Sequence, residues 1–319
     1  MIVELVTPAP RGSRKGNRIT ALRWAKIFRR LGHRTVVTTE HTENARDTAD
    51  LVISLHAKRG WTALDAAKRE HPDRPVIVAL TGTDLYVDGV TDPTVMDSLT
   101  RADRLVVLQP RAIDALPPDV RQKARTIRQS CAPPSHDRRP REDVFEVVVA
   151  GHMRAVKDPM LAATAARLLP ASSRVAVTQI GEALTPEFAD RARREEEANP
   201  RYRWIGPRHR RETLERIATA RLLVLTSRAE GGAQVISEAL ACGTSVLATR
   251  IDGVVGLLGD DWPGLFPVGD ATVLARLLER IETDPDARDR LAKRTEALAP
   301  LYRPATEVEA WRALLGEFA

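Results

Sequence analysis

Residues 222–243 read LLVLTSRAEGGAQVISEALACG. The apolar run 222–226 has the length of a buried strand. Residues 227–231 form a turn ending in glycine, and 232–242 carry an almost wholly apolar helical pattern. A strand apolar at every position, not at alternate ones, is covered on both faces. That is the mark of a parallel sheet whose crossover helices pack on either side. Two glutamates, Glu230 and Glu238, stand eight residues apart across the turn and the helix.

The same strand–helix unit recurs on both sides. Upstream, strand-like runs at 2–6, 35–39, 51–55, 75–80, 104–108 and 124–128 alternate with helical patterns at 17–31, 63–70 and 92–100. Residues 129–143, QSCAPPSHDRRPRED, are rich in proline and charge, lack periodicity and read as a linker. Strands then resume at 145–150, 174–180, 202–205, 222–226 and 245–248, with helices at 158–169, 186–199, 211–220 and 232–242. Three helices near 271–283, 286–299 and 305–318 close the chain. The expectation is an α/β protein of two Rossmann-like, doubly wound domains in series. The first covers 1–130, a linker 131–143, the second 144–300, and a C-terminal helix over 301–319 packs back on the first. Ligands of such sheets lie beyond the carboxyl ends of the strands. Two facing halves would place the principal site in the cleft between them.

A length of 319 residues suits two domains of about 100–200 residues each. Hydrophobic content of 43% with 29% charged residues excludes a disordered chain. The formal charge of +6 attracts anions without distinguishing nucleic acid, anionic lipid or phosphorylated small molecules. Cys131 and Cys242 are the only cysteines, so no disulfide framework is implied. The opening MIVELVTPAP lacks a secretory signal pattern. No apolar run approaches the roughly 20 residues of a membrane span, and the expected location is cytoplasmic. The sole Asp-x-Asp, Asp284-Pro285-Asp286, falls in a turn, and the seven histidines show no zinc spacing. No metal and no other cofactor is expected. Aromatic residues are few and scattered, which leaves no stacking platform for nucleic acid.

Four loops at predicted strand ends carry candidate chemistry. In the first, the helix after Glu230 begins with N–H groups that lack internal partners and with the positive end of the helix dipole. Gly231 and Gly232, having no Cβ, let phosphate or sugar oxygens approach. A carboxylate at Glu238 suits vicinal hydroxyls such as those of a ribose. Acidic residues near a helix start also occur for dipole reasons alone. The second loop, GHMRAVKDP at 151–159, gathers His152, Arg154 and Lys157 where a diphosphate could sit, or where basic side chains are simply solvated. The third, PAPRGSRKGN at 8–17, sets Arg11, Arg14 and Lys15 among Gly12 and Gly16 before Asn17. It suits an anionic second substrate or a mobile basic loop, and it is not a dinucleotide fingerprint. The fourth, LTGTDLY at 80–86, offers Thr81, Thr83 and Asp84 as cleft-lining residues or as a turn with a helix cap.

Taken together these motifs resemble the large family of retaining GT-B glycosyltransferases that includes sucrose and lipid-linked mannosyl transferases. The resemblance implies a GT-B fold of two Rossmann-like domains facing across a cleft. It also implies a nucleotide-sugar donor held mainly by the second domain, and no metal requirement. It assigns Glu230 to the donor sugar hydroxyls and Glu238 to the ribose. It gives the diphosphate to the loop with Lys157, where His152 replaces the family arginine and Arg154 takes over its charge. Gly231, Gly232, Ala233 and Gln234 complete the donor side, and Thr81-Gly82 stands where the family has His-Gly. A narrower resemblance rests on GNRITALRWAK, LTGTDLY, GHMRAVKDP, NPRYRWIG, EGGAQVISEA and RIDGVVGLLGDDWPGLFPVGD. These are similar to the selenosugar synthases of selenoneine biosynthesis, from Pro8 to about Asp270. That family implies selenophosphate as acceptor and a UDP-sugar, UDP-N-acetylglucosamine or UDP-glucose, as donor. UDP is released, a C–Se bond forms and phosphate is lost. Lys157, Arg154 and Glu230 are then the expected catalytic groups, with Arg11, Gly12, Arg14, Lys15, Gly16, Asn17, Thr81, Thr83 and Asp84 on the acceptor side.

Other readings keep part of this. A thiol, an alcohol or a lipid could be the acceptor, with Trp24, Phe28, Lys26, Arg29 and Arg30 of the first helix resting on an anionic membrane. The same helix could equally pack on the sheet. A nucleotide-sugar epimerase or hydrolase would need no acceptor. A basic nucleic-acid-binding protein would need a recognition motif that is absent.

Overall fold

The computed structural model describes residues 1–13, 16–40, 48–81, 84–134 and 140–318. The chain forms two compact units. The first holds residues 1–128 together with 230–232 and 307–319, and the second holds 129–229 and 233–306.

The first unit is built on a six-stranded parallel sheet of β1 (Ile2–Val6), β2 (Arg34–Thr38), β3 (Leu51–Leu55), β4 (Val76–Leu80), β5 (Arg104–Val107) and β6 (Ala124–Thr126), ordered β2-β1-β3-β4-β5-β6. Every residue of β3 and β4 is buried, as their unbroken apolar runs require. The chain leaves β1 for β2 on one side and returns to β3 on the other, so the order reverses between β1 and β3. Helix Gly16–Arg30 packs Ala21, Trp24, Ala25 and Phe28 into the core, and basic Arg29 and Arg30 sit at its negative end.

Helix Pro304–Gly316 supplies Trp311 to that core. Its ring meets Trp24 edge-on at 4.7 Å and Phe28 at 4.8 Å. The Trp24 indole donates to buried Glu307 at 2.9 Å. This overturns the membrane-resting alternative for the first helix, because Trp24 and Phe28 face the protein interior. No helix among the described residues is long and apolar enough to cross a membrane.

The second unit carries β7 (Phe145–Ala150), β8 (Val175–Ile180), β9 (Tyr202–Trp204), β10 (Leu222–Leu225), β11 (Ser245–Thr249) and β12 (Leu265–Phe266), all parallel and ordered β12-β11-β10-β7-β8-β9. Here the order reverses between β7 and β10, as in doubly wound sheets generally. Several short elements escape a periodicity reading, among them the helices Arg111–Asp114 and Pro118–Arg121. The two residues of β12 are too short to show a period. Helix Asp252–Leu258 carries Gly253 and Gly256, which dilute its pattern. The aperiodic stretch at 129–143 begins as packed chain: Gln129, Ser130 and Cys131 are buried, and Cys131 N donates to the Tyr302 carbonyl at 3.0 Å.

Candidate active site

The reversal between β7 and β10 leaves a crevice that no crossover fills, and the loops after these strands line it. They are laced together. Thr226 Oγ1 donates to the Lys157 carbonyl at 2.8 Å, and Arg228 N donates to the Val156 carbonyl at 2.8 Å. The Arg228 guanidinium pairs with Asp158 at 2.7 Å, and Thr249 Oγ1, at the end of β11, donates to the Ser227 carbonyl at 2.5 Å. Asp158 takes a left-handed φ of 41° to close the single turn Ala155–Lys157. The GHMRAVKDP loop and the turn of the opening stretch therefore form one framework. Lys157 is half-buried in it, while Arg154 is exposed, accepts from Lys157 N on its carbonyl at 2.9 Å, and makes no side-chain hydrogen bond or ion pair among the described residues.

His152 extends this framework toward β8. Its Nδ1 accepts from Glu182 N at 3.3 Å. The adjoining backbones run too close for side chains, since a Cβ on Gly181, at φ +148°, would overlap the Gly151 carbonyl. The Trp204 indole at the end of β9 donates to the Gly181 carbonyl at 2.9 Å and fixes this crest.

The helix of the opening stretch spans Gln234–Ala241, two residues shorter at its start than the pattern predicts. Ala233 occupies the cap position and is buried. Glycine is a poor helix former, and Gly232 has a second constraint. A Cβ there would overlap Leu108, a residue of the same first unit, so packing alone requires glycine at 232. Glu230 is buried and belongs to that first unit with Gly231 and Gly232.

Glu238 lies one turn into the helix and is held on one oxygen by two donors. Arg210 Nη2 reaches Glu238 Oε1 at 3.0 Å and Gln234 Nε2 reaches it at 3.3 Å. The same Arg210 nitrogen lies 3.6 Å from the Cys131 sulfur. Burial pulls the Arg210 guanidinium down, but Glu238 and Cys131 outweigh it, so its affinity for the proton rises. Burial, reinforced by Cys131 and Glu238, pushes the Cys242 thiol up to about 12.

In the first unit the corresponding reversal lies between β1 and β3. Arg11 and Gly12 are exposed in the loop after β1, where Gly12 takes φ +84° in a turn closed by Ser13 N on the Pro10 carbonyl. Gly16 and Asn17 open the first helix. Thr81 Oγ1, just past β4, donates to Asn17 Oδ1 at 3.1 Å, so two of the predicted loops meet. Arg14, Lys15 and Thr83 lie outside the described residues. Asp84 departs from its expected position. It is 0% exposed, accepts from Ala57 N at 2.9 Å and stands 3.8 Å from His56 Nδ1. Its carboxylate fastens the loop after β3 instead of lining a cleft.

Three residues were not singled out by sequence. His56 follows β3 at the carboxyl edge, is buried and holds a left-handed φ of 85°. Such strain in a non-glycine residue persists only where its surroundings enforce it, and the strand-end rule applied to β3 would have found it. Arg18 and Arg210 carry no local signal, because burial and a partner 28 residues away are tertiary facts. Among the described residues no group of three or more His, Cys, Asp or Glu is placed to hold a metal ion.

The fold has counterparts among solved structures. HepE of Anabaena, solved in complex with UDP-glucose, superposes with a TM-score of 0.78 over 99% of both chains at 16% identity. Sucrose-phosphate synthase of Thermosynechococcus elongatus gives 0.78 over 99% of this chain and 98% of its own, at 16% identity. A glycosyltransferase of Rickettsia africae gives 0.78 with the same coverage at 14% identity. These likenesses establish a GT-B fold. A comparison with curated proteins finds none that matches. Residues 135–298, just over half of the chain, match the profile of the family described as "Glycosyl transferases group 1". With its two parallel six-stranded sheets and this match across the second of them, the chain belongs to the group 1 glycosyltransferases.

Proposed function

We propose that this glycosyltransferase takes the sugar of a UDP-sugar, UDP-N-acetylglucosamine or UDP-glucose, and joins it to selenophosphate. One observation carries the donor half: the loops after β7 and β10 are hydrogen-bonded into a single frame at the switch point, bearing Arg154 and Lys157 beside the strand that leads to the helix of Glu238. HepE, a neighbour in fold, is solved with UDP and with UDP-glucose, which favours the same donor class here. The selenium acceptor rests on the resemblance of the quoted motifs to selenosugar synthases.

In this reaction a selenium lone pair attacks the anomeric carbon and the bond from that carbon to the β-phosphate oxygen breaks. UDP leaves with the electron pair. Water then cleaves the P–Se bond, releasing phosphate and the selenosugar. Lys157, Arg154 and the first N–H groups of helix Gln234–Ala241 stabilise the charge that grows on the β-phosphate, and His152 lies at the margin of that site. Preorganised charge of this kind commonly contributes more to catalysis than any other single effect. Glu238 accepts from the ribose hydroxyls, with Arg210 setting its orientation. Glu230 addresses the sugar hydroxyls. Selenophosphate is already an anionic nucleophile, so the acceptor side, with Arg11, Asn17 and Thr81, has to bind charge more than remove a proton. No metal or other cofactor enters the scheme.

The test is incubation with a panel of UDP-sugars with and without selenophosphate, read by mass spectrometry. The expected product is a selenosugar together with UDP, formed only when both substrates are present. UDP release of equal rate without selenophosphate would point to a hydrolase, and transfer only to a thiol, alcohol or lipid would replace the acceptor.

A further inference from the structure

Asp158 is one of two non-glycine residues among the described residues whose backbone is left-handed, at φ 41° and ψ 55°. Aspartate bears that conformation better than most residues, but glycine takes it without strain. A side chain kept at such a position has something to do there. The Asp158 carboxylate accepts from Arg228 Nη2 at 2.7 Å.

Arg228 grips the loop after β7 twice. Its backbone N–H donates to the Val156 carbonyl at 2.8 Å, and its guanidinium takes the carboxylate two residues further on. Between these anchors lies Lys157, whose carbonyl accepts from Thr226 Oγ1 at 2.8 Å. Residues 156, 157 and 158 are thus each held by residues 226–228. Within its own loop Lys157 belongs only to the single turn Ala155–Lys157, closed by Lys157 N on the Arg154 carbonyl at 2.9 Å and Asp158 N on the Ala155 carbonyl at 3.1 Å. Turns of this kind have poor hydrogen-bond geometry, so the placement of Lys157 is decided by the loop after β10. The ion pair does little for the stability of the domain. The Arg228 side chain is 57% exposed and that of Asp158 21%, and pairs so close to solvent contribute little. A strained backbone kept for a pair of small stabilising value is the pattern of a functional site.

We propose that Arg228 and Asp158 are positioning residues for Lys157: their ion pair fixes the turn that carries the lysine and thereby sets the binding of the donor's second phosphate. The inference rests on the reading that Lys157 serves the diphosphate, and it adds two residues that act through the lysine without touching the ligand. A charge stabilises a phosphate only as well as it is held in place, because a loose one must be ordered at the moment of binding or reaction. The pair supplies that order in advance. It acts as a unit, so losing either partner releases the turn and losing both releases it no further.

The experiment uses the full chain and compares UDP with UMP, which keeps the ribose and the first phosphate and lacks the second. Calorimetry measures both Kd values in the parent, in Arg228→Met, in Asp158→Asn and in the double variant, and thermal unfolding gives each Tm. The expected result is a preference for UDP over UMP that falls about tenfold in Arg228→Met and about fivefold in Asp158→Asn, with no further fall in the double variant. UMP affinity stays within about twofold of the parent, the Tm barely moves, and Arg228→Lys, which can still reach the carboxylate, recovers part of the preference. A preference kept or raised in Asp158→Asn means that the arginine acts by its own charge, and overturns the proposal. So do losses that add in the double variant, and so does a parallel loss of UMP and UDP affinity, which marks a structural pair. If Arg228→Met does not fold, Arg228→Gln decides by the same criteria, and failure of both to fold assigns the arginine to structure. A parent protein that binds UDP no better than UMP overturns the diphosphate reading of Lys157 itself, which separates the two failures.

Discussion

Glu238 and Arg210 are the pair on which the donor half depends at the level of single residues. The guanidinium holds one carboxylate oxygen at 3.0 Å, and orientation is what a carboxylate must have to accept from two vicinal hydroxyls at once. Arg210→Met is expected to weaken UDP binding about tenfold, roughly 1.4 kcal/mol, with only a small drop in Tm, since the guanidinium reaches solvent and an ion pair of this kind contributes little to stability. Glu238→Ala should weaken it by at least as much. Calorimetric titration with UDP checks both, and unchanged affinity in either variant would remove that residue from the ribose site. Cys242 gives a second residue-scale expectation. With its thiol pushed up to about 12, it holds on the order of a thousandfold less thiolate at pH 8 than an ordinary cysteine. Native protein should therefore resist iodoacetamide, and protein unfolded in denaturant should take up two equivalents. Rapid native alkylation at Cys242, located by peptide mass spectrometry, would refute this.

Elements meet through backbone at the crest formed by the ends of β7, β8 and β9. Gly181 N donates to the Gly206 carbonyl at 3.0 Å while its Cα faces the Gly151 carbonyl with no room for a methyl group. Gly181→Ala must move one strand end away from the other and also strains a positive φ. The expected cost is at least about 2 kcal/mol, read by urea denaturation. Weaker donor binding should accompany it, because the loop bearing His152, Arg154 and Lys157 hangs from the same strand end. A different element contact decides the first core. Trp311 is 0% exposed between Trp24 and Phe28. Trp311→Ala should cost about 3–5 kcal/mol, seen as a lower denaturation midpoint. Both glycine and tryptophan are visible in the sequence, but neither their partners nor the need for them is.

Across the molecule, many carboxylates are held below their ordinary range. The Arg167 guanidinium beside Glu195 lowers its carboxyl from the ordinary 4.5. Asp65 is lowered chiefly by Arg101, with Arg69 adding to it. A depressed native carboxyl means that the unfolded chain takes up protons first as pH falls. The stability these pairs contribute is complete above the unfolded values near 4 and is lost as the pH drops through the lower native ones. The Tm should therefore hold between about pH 7 and 5 and fall below about pH 4. Added salt should narrow the difference, since part of the effect is screened. A Tm that rises on acidification would contradict the assignment. The surplus of positive charge adds self-repulsion in the same direction as carboxylates are neutralised.

The sequence by itself determined the order and type of nearly every element, because buried parallel strands are apolar throughout and crossover helices repeat every 3.6 residues. It placed the GHMRAVKDP loop, the glycine turn and the basic loop after β1 at strand ends, where ligands of such sheets bind. Its failures were local and physical: a two-residue strand shows no period, and Gly232 and Ala233 read as helix although they lie before it. Only the tertiary structure decided which strands lie side by side, and hence that the loops after β7 and β10 share a frame while Asp84 turns inward to hold the loop of His56. It alone matched Arg210 to Glu238. Periodicity is a property of neighbours along the chain. Charge pairing and burial are set by neighbours in space, which strand order brings together from far apart in sequence.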